Sequence, residues 1–84
     1  MTPPARLQAA IEVLDAVIVA ARDGGAAADT LFRRYFAERR YAGAGDRAAV
    51  RDLVFGAIRF AGDRPASGRA ALLGYLEAED PAAL

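Results

Sequence analysis

The sequence predicts an all-α domain, a compact bundle of about four helices. At 84 residues the chain has room for one domain, which we expect to span residues 1–84. Hydrophobic residues make up 55 % of the chain, too many for a disordered segment, and nearly half of them are alanine, which loses no side-chain entropy in a helix. Strand-forming residues never alternate with polar residues over a useful length, so a sheet is not expected.

The first predicted helix begins after Thr2, whose hydroxyl can cap free backbone N–H groups, with Pro3 where a missing N–H costs nothing. Apolar residues then recur at helical spacing until Asp23, Gly24 and Gly25 end the helix. The predicted apolar face consists of Leu7, Ala10, Ile11, Leu14, Val17, Ile18 and Ala21.

A second helix is expected from about residue 26 to residue 40. Its predicted buried face is largely aromatic and consists of Leu31, Phe32, Tyr35 and Phe36. Residues 41–45 are rich in glycine and predict a loop.

Asp46 is expected to cap the third helix, which has the strongest apolar pattern in the sequence. So wide an apolar arc is typical of a central helix, and Leu53, Val54 and Ala57 should lie at the centre of the core. The full predicted arc consists of Val50, Leu53, Val54, Ala57, Ile58 and Ala61.

Residues 62–65 contain a glycine and a proline and are expected to break the third helix. The fourth helix should begin near Ser67 and stop before Asp80 and Pro81, because the residue ahead of a proline avoids helical angles. Its predicted buried side chains are Leu72, Leu73, Tyr75 and Leu76.

The composition excludes most catalytic chemistry. The chain has no histidine, cysteine or lysine, so it lacks the usual general base, thiol nucleophile and Schiff-base amine. We expect no catalytic residue, no metal site and no cofactor bound by this chain. The lack of cysteine, of a charged signal-peptide start and of a membrane-length apolar run predicts a cytoplasmic protein without a membrane partner.

Positive charge is concentrated in one part of a chain that is neutral overall. Residues 31–51 contain six arginines and two acidic residues, a net charge of +4. Arg47, Arg51, Phe55 and Arg59 are spaced four residues apart, which places them in one stripe beside the apolar arc of the third helix. Arginines with an aromatic residue among them suit a nucleic-acid backbone and a stacked base.

A structural alternative explains the same stripe without a ligand. The arginines could pair with Asp52 and Asp63 while their aliphatic stems cover hydrophobic surface. Pattern alone favours this alternative. The discriminating feature is whether Arg47, Arg51 and Arg59 face solvent with Phe55 or are consumed in ion pairs.

Two longer motifs resemble a known family of helical domains. The chain opens with Arg6-x-x-Ala9-Ala10-x-x-x-Leu14, which resembles the first helix of the NusB-like family. The family's signature helix resembles Asp46-Arg47-x-x-Val50-x-x-Leu53-Val54-x-Gly56-x-Ile58-Arg59. Residues 39–47 are more similar still to one branch, the N-terminal domain of the rRNA cytosine-5 methyltransferases of the RsmB, or Fmu/Sun, group. The match covers residues 5–60 well and the remainder loosely.

The resemblance implies a NusB-like fold that binds RNA, with 16S rRNA the suspected ligand. It implies that the module positions an S-adenosylmethionine-dependent methyltransferase domain of the same parent protein, outside this chain. The cofactor would belong to that domain. Carried over position by position, and with the stacking residue of the stripe added, the candidate RNA-binding residues are Arg40, Arg47, Arg51, Phe55 and Arg59.

The family module is longer than this chain and has further helices. We therefore expect an N-terminal fragment of a larger protein, with an uncovered apolar patch that could lead to self-association. Two alternatives remain open from the sequence. One is a protein–protein docking or dimerisation module, and the other is a free-standing NusB-like transcription antitermination factor.

Overall fold

Four helices form the secondary structure of residues 1–61 and 67–79, the part of the chain that the computed structural model describes. In chain order they are α1 (Pro3–Asp23), α2 (Ala28–Ala37), α3 (Ala44–Ala61) and α4 (Gly68–Glu79). No strand occurs in these residues, and the predicted all-α bundle is confirmed. The break predicted at residues 62–65 and the stop predicted at Asp80 and Pro81 lie outside the described residues.

The ends of α1 follow the predicted signals. The Thr2 hydroxyl accepts a hydrogen bond from the Ala5 N–H at 3.2 Å, which satisfies one free donor of the first turn. Gly24 has φ +68°, in the left-handed region, and its N–H donates to the Ala20 carbonyl. Glycine is favoured there because, in the left-handed region, the Cβ of any other residue comes too close to the carbonyl oxygen that follows it.

The helix α2 is shorter than the predicted span of residues 26–40. Ala27 is extended, and at the other end the Arg39 N–H donates to the Phe36 carbonyl at 3.1 Å. The Ala42 N–H then donates to the Arg39 carbonyl at 3.1 Å, which closes a tight turn. This turn brings Ala42 into the core, so α2 cannot continue to Arg40.

The predicted cap at Asp46 is wrong. The helix α3 begins at Ala44, so Asp46 is its third residue. Its carboxylate reaches back to accept a hydrogen bond from the Gly43 N–H at 3.2 Å, the role of an acidic side chain in the first turn.

The core is built where α1, α3 and α4 meet. Val54 and Ala57 lie at its centre as predicted, whereas Leu53 is only partly buried and packs at its margin. The buried face of α1 is also displaced from the predicted one, since Leu7 and Ala21 are exposed. Ala9 and Val13 are buried in their place, so α1 is rotated about its axis relative to the predicted orientation. The buried side chains are Ala9, Ala10, Val13, Leu14, Phe32, Phe36, Ala42, Val50, Val54, Ala57, Ala71 and Leu72.

The helix α4 is joined to α1 at its first turn. The Ser67 hydroxyl accepts from the Ala70 N–H at 3.1 Å, and the Asp15 carboxylate of α1 accepts from the Gly68 N–H at 2.6 Å. Leu72 is buried as predicted, but Leu73 is exposed, because consecutive residues of a helix point in different directions. Tyr75 crosses the α3 backbone at Gly56, a position where any side chain would run into its ring.

The aromatic residues of α2 pack against one another and, through Phe32 and Phe55, against α3. Phe32 and Phe36 are buried with ring centroids 4.9 Å apart, and Tyr35 meets Phe36 edge to face at 5.1 Å. The assembled chain is flat, with Cα extents of 32 × 32 × 14 Å. None of the helices in the described ranges is both long enough and apolar enough to cross a membrane.

Candidate nucleic-acid interface

Arg51 lies at the centre of the predicted stripe and is held by aromatic rings. Its guanidinium carbon lies 4.7 Å from the ring centroid of Phe32 and 5.7 Å from that of Phe55. A guanidinium nitrogen lies 3.8 Å from the Asp29 carboxylate of α2. The predicted partner of the structural alternative, Asp52, is therefore not the carboxylate that Arg51 contacts. Arg51 is half-exposed and also serves to join α2 to α3.

Phe55, the predicted stacking residue, is partly buried. Its ring centroid lies 6.3 Å from that of Phe32, and the Arg51 guanidinium lies near both rings. A base that stacked on Phe55 would compete with Arg51 for the accessible ring surface. The stacking role of Phe55 stays a prediction.

The other three candidate arginines are exposed. Among residues 1–61 and 67–79, no carboxylate lies within 4.0 Å of Arg40, Arg47 or Arg59. Asp63, which the structural alternative offered as a partner, lies outside the described residues. Arg40 belongs to the loop before α3, while Arg47 and Arg59 lie near opposite ends of that helix. A helix of 18 residues is about 27 Å long, so the candidates form an extended line rather than one cluster.

Asp46 is the acidic residue nearest to Arg47 in the chain, and its charge is already compensated. Its carboxylate binds the Met1 ammonium at 3.0 Å and the Arg6 guanidinium at 2.9 Å. The hydrogen bond from the N-terminal ammonium, followed by that from Arg6, lowers the pKa of Asp46 to about 2. The local excess of positive charge at the start of α3 is therefore not cancelled by Asp46.

Exchange of Asp46 for asparagine is expected to lower the thermal midpoint at neutral pH and to reduce its acid sensitivity. The folded pKa is depressed from 3.8 to about 2, so the stabilisation is present above pH 3.8 and disappears as the pH falls towards 2. Thermal melts between pH 2 and pH 7 measure the effect. Asp52→Asn, at an exposed position on the same helix, is the control, and equal pH profiles for the two variants would contradict the expectation.

Arg39, which precedes Arg40 in the chain, belongs to a polar cluster between α1 and α2. The Tyr35 hydroxyl donates to the Glu12 carboxylate at 2.6 Å, and the Arg39 guanidinium carbon lies 3.7 Å from the Tyr35 ring centroid. Hydrogen bonds from Tyr35 and then from Gln8 lower the pKa of Glu12, while burial, followed by the bond to Glu12, raises the pKa of Tyr35 to about 12. A guanidinium nitrogen of Arg39 also lies 3.9 Å from the Glu12 carboxylate, so Arg39 contacts both α1 and α2.

Tyr41 is a further candidate RNA-binding residue, which the helical spacing does not select. It follows Arg40 in the turn before α3, and it is 73 % exposed. Its position next to Arg40 in a glycine-rich segment is visible in the sequence, but its exposure depends on the turn that buries Ala42.

Metal-binding geometry is absent from the described ranges, where no group of three or more acidic, histidine or cysteine side chains converges.

Comparison of the chain with protein-family models, with curated proteins and with solved structures gives no match. The resemblance to the NusB-like family therefore rests on the quoted motifs and stays a prediction.

Proposed function

We propose that this chain is an RNA-binding helical module that positions an S-adenosylmethionine-dependent rRNA cytosine-5 methyltransferase domain lying outside it. The observation that supports RNA binding most directly is the exposure of Arg40, Arg47 and Arg59 without a carboxylate within 4.0 Å among the described residues. The association with rRNA and with a methyltransferase is supported by the sequence motifs.

Arginine suits this role because its planar guanidinium can donate two parallel hydrogen bonds to a phosphate. The whole chain has a formal net charge of zero, so long-range attraction of RNA should be small. Affinity should then depend on local contacts between these arginines and phosphates. Such contacts position an RNA without reading its sequence.

Replacing Arg40 and Arg47 together by glutamine is expected to weaken RNA binding and to flatten its salt dependence. For a single-stranded RNA, removing one arginine–phosphate interaction should reduce the slope of log K against log salt by about 0.7. Titrations of rRNA fragments at several salt concentrations measure both quantities. Arg59→Gln is measured as a separate variant, because Arg59 lies near the other end of α3 from Arg47. Arg51 is left unchanged, since its contacts with Phe32 and Phe55 also stabilise the fold.

The matched control replaces Arg22 and Arg69, two exposed arginines outside the stripe, by glutamine. It removes the same charge, so equally weakened binding in both double variants would indicate a general charge effect rather than a site. If the Arg40 and Arg47 variant binds as tightly as wild type at low salt, the proposal fails and the docking alternative is favoured. The apolar surface to test would then be formed by Phe60 and Leu73, which are both exposed. Phe60 is 53 % exposed and lies against Gly74, the neighbour of Leu73 in the chain.

A further inference from the structure

We infer that the RNA ligand presents an unpaired base, which stacks on the exposed ring of Tyr41. The inference rests on the proposed RNA-binding function and names the class of RNA: single-stranded or bulged, with a free base between phosphates held by Arg40 and Arg47.

The backbone of the turn before α3 is anchored on both sides of Tyr41. The Ala42 N–H donates to the Arg39 carbonyl at 3.1 Å, so Arg40 and Tyr41 are the two central residues of the turn. Ala42 is 1 % exposed and fixes the turn to the core. Beyond it, the Gly43 N–H is bound by Asp46. Because the backbone of this turn is anchored, binding needs to order only the side chains of its central residues, and the backbone adds little entropic cost.

Tyr41 has the largest exposed fraction among the large hydrophobic side chains of the described residues. So exposed a ring gains little from packing, and both its aromatic surface and its hydroxyl are accessible to a ligand. Phe55 differs, because it is partly buried and has the Arg51 guanidinium 5.7 Å from its ring centroid. Tyr41 therefore offers a more open stacking surface than Phe55.

The charges around Tyr41 suit a nucleotide rather than an apolar ligand. Arg40 precedes it directly, and Arg47 is the fourth residue of α3, which begins three positions after Tyr41. Asp46 is engaged by Met1 and Arg6 and adds no uncompensated negative charge. Stacking between a base and an aromatic ring requires an accessible base face, which a continuous A-form duplex does not offer.

Tyr41→Trp tests the inference directly, because the chain contains no tryptophan of its own. We expect the fluorescence of the variant to be quenched when a single-stranded rRNA oligonucleotide binds. An oligonucleotide with abasic sites keeps the phosphates but removes the bases, and it should quench less at equal saturation. Val19→Trp, at an exposed position on α1 away from the candidate RNA-binding residues, is the control and should not respond.

Tyr41→Ala should lower the affinity for the same oligonucleotide by about 5- to 150-fold, with little change in salt slope. Tyr41→Phe should retain most of the affinity, and Phe60→Ala should bind as wild type. Salt-dependent binding by wild type together with unchanged affinity in Tyr41→Ala would overturn this inference and leave the proposed function standing. No salt-dependent binding by wild type would overturn both.

Discussion

Replacement of Leu72 by alanine is expected to destabilise the chain by about 2–5 kcal/mol, the usual cost of removing a buried leucine side chain. Leu72 is 1 % exposed and lies in the core where α4 meets α1 and α3. A domain of this size has a total stability of about 4–13 kcal/mol, so this decrease would be a large share of the whole.

Thermal and urea unfolding followed by circular dichroism measure this effect. Leu73→Ala is the matched control, because the neighbouring leucine is 44 % exposed and its truncation leaves no buried cavity. We expect it to change stability by no more than about 0.5 kcal/mol. If the two variants unfold at the same urea concentration, α4 does not pack on the core as described.

Gly68→Ala should also be strongly destabilising, by about 1–3 kcal/mol, because the added methyl group meets backbone atoms. A Cβ at this position would lie 2.5 Å from the Ile11 carbonyl oxygen and 2.8 Å from the Asp15 nitrogen. Neither atom can move without displacing α1. The substitution should therefore push the first turn of α4 away and lengthen its 2.6 Å hydrogen bond to Asp15.

Gly45→Ala is the control for this substitution. Gly45 lies in the first turn of α3, and a Cβ there meets nothing within 4 Å. Alanine should be neutral or stabilising at this position by about 0.4–1 kcal/mol, because it reduces the freedom of the unfolded chain. Equal unfolding midpoints for the two alanine variants would show that α4 can withdraw from α1 at no cost.

The helices could be predicted from the sequence because their signals are local. Thr2 and Gly24 mark the two ends of α1 by side-chain and backbone chemistry that needs no tertiary contact. The predicted end of α2 is wrong because the turn at residues 39–42 buries Ala42, which is a tertiary contact. The predicted start of α3 is wrong for a local reason, because Asp46 accepts from the Gly43 N–H as the third residue of the helix instead of preceding it.

The candidate interface is less predictable because it depends on tertiary contacts. Helical spacing places Arg47, Arg51 and Arg59 in one stripe, but it cannot show that Arg51 lies over rings from two helices. Spacing also gives no measure of exposure, so it favours Phe55 as a stacking residue although Tyr41 is the more accessible. Exposure is decided by what packs on a residue, and a single sequence does not contain that information.

The alanines of the core determine which mutations this chain can tolerate. Five of the twelve buried hydrophobic residues in the described ranges are alanine, so the usual damage at these positions is enlargement rather than truncation. Single-base changes in an alanine codon give valine, threonine, serine, proline, aspartate or glutamate, all of which are larger, and only glycine is smaller. Random mutation at Ala9, Ala57 or Ala71 will therefore mostly force α1, α3 and α4 apart. Such a core can change in evolution chiefly through paired substitutions, in which a facing side chain becomes smaller as one of these alanines becomes larger.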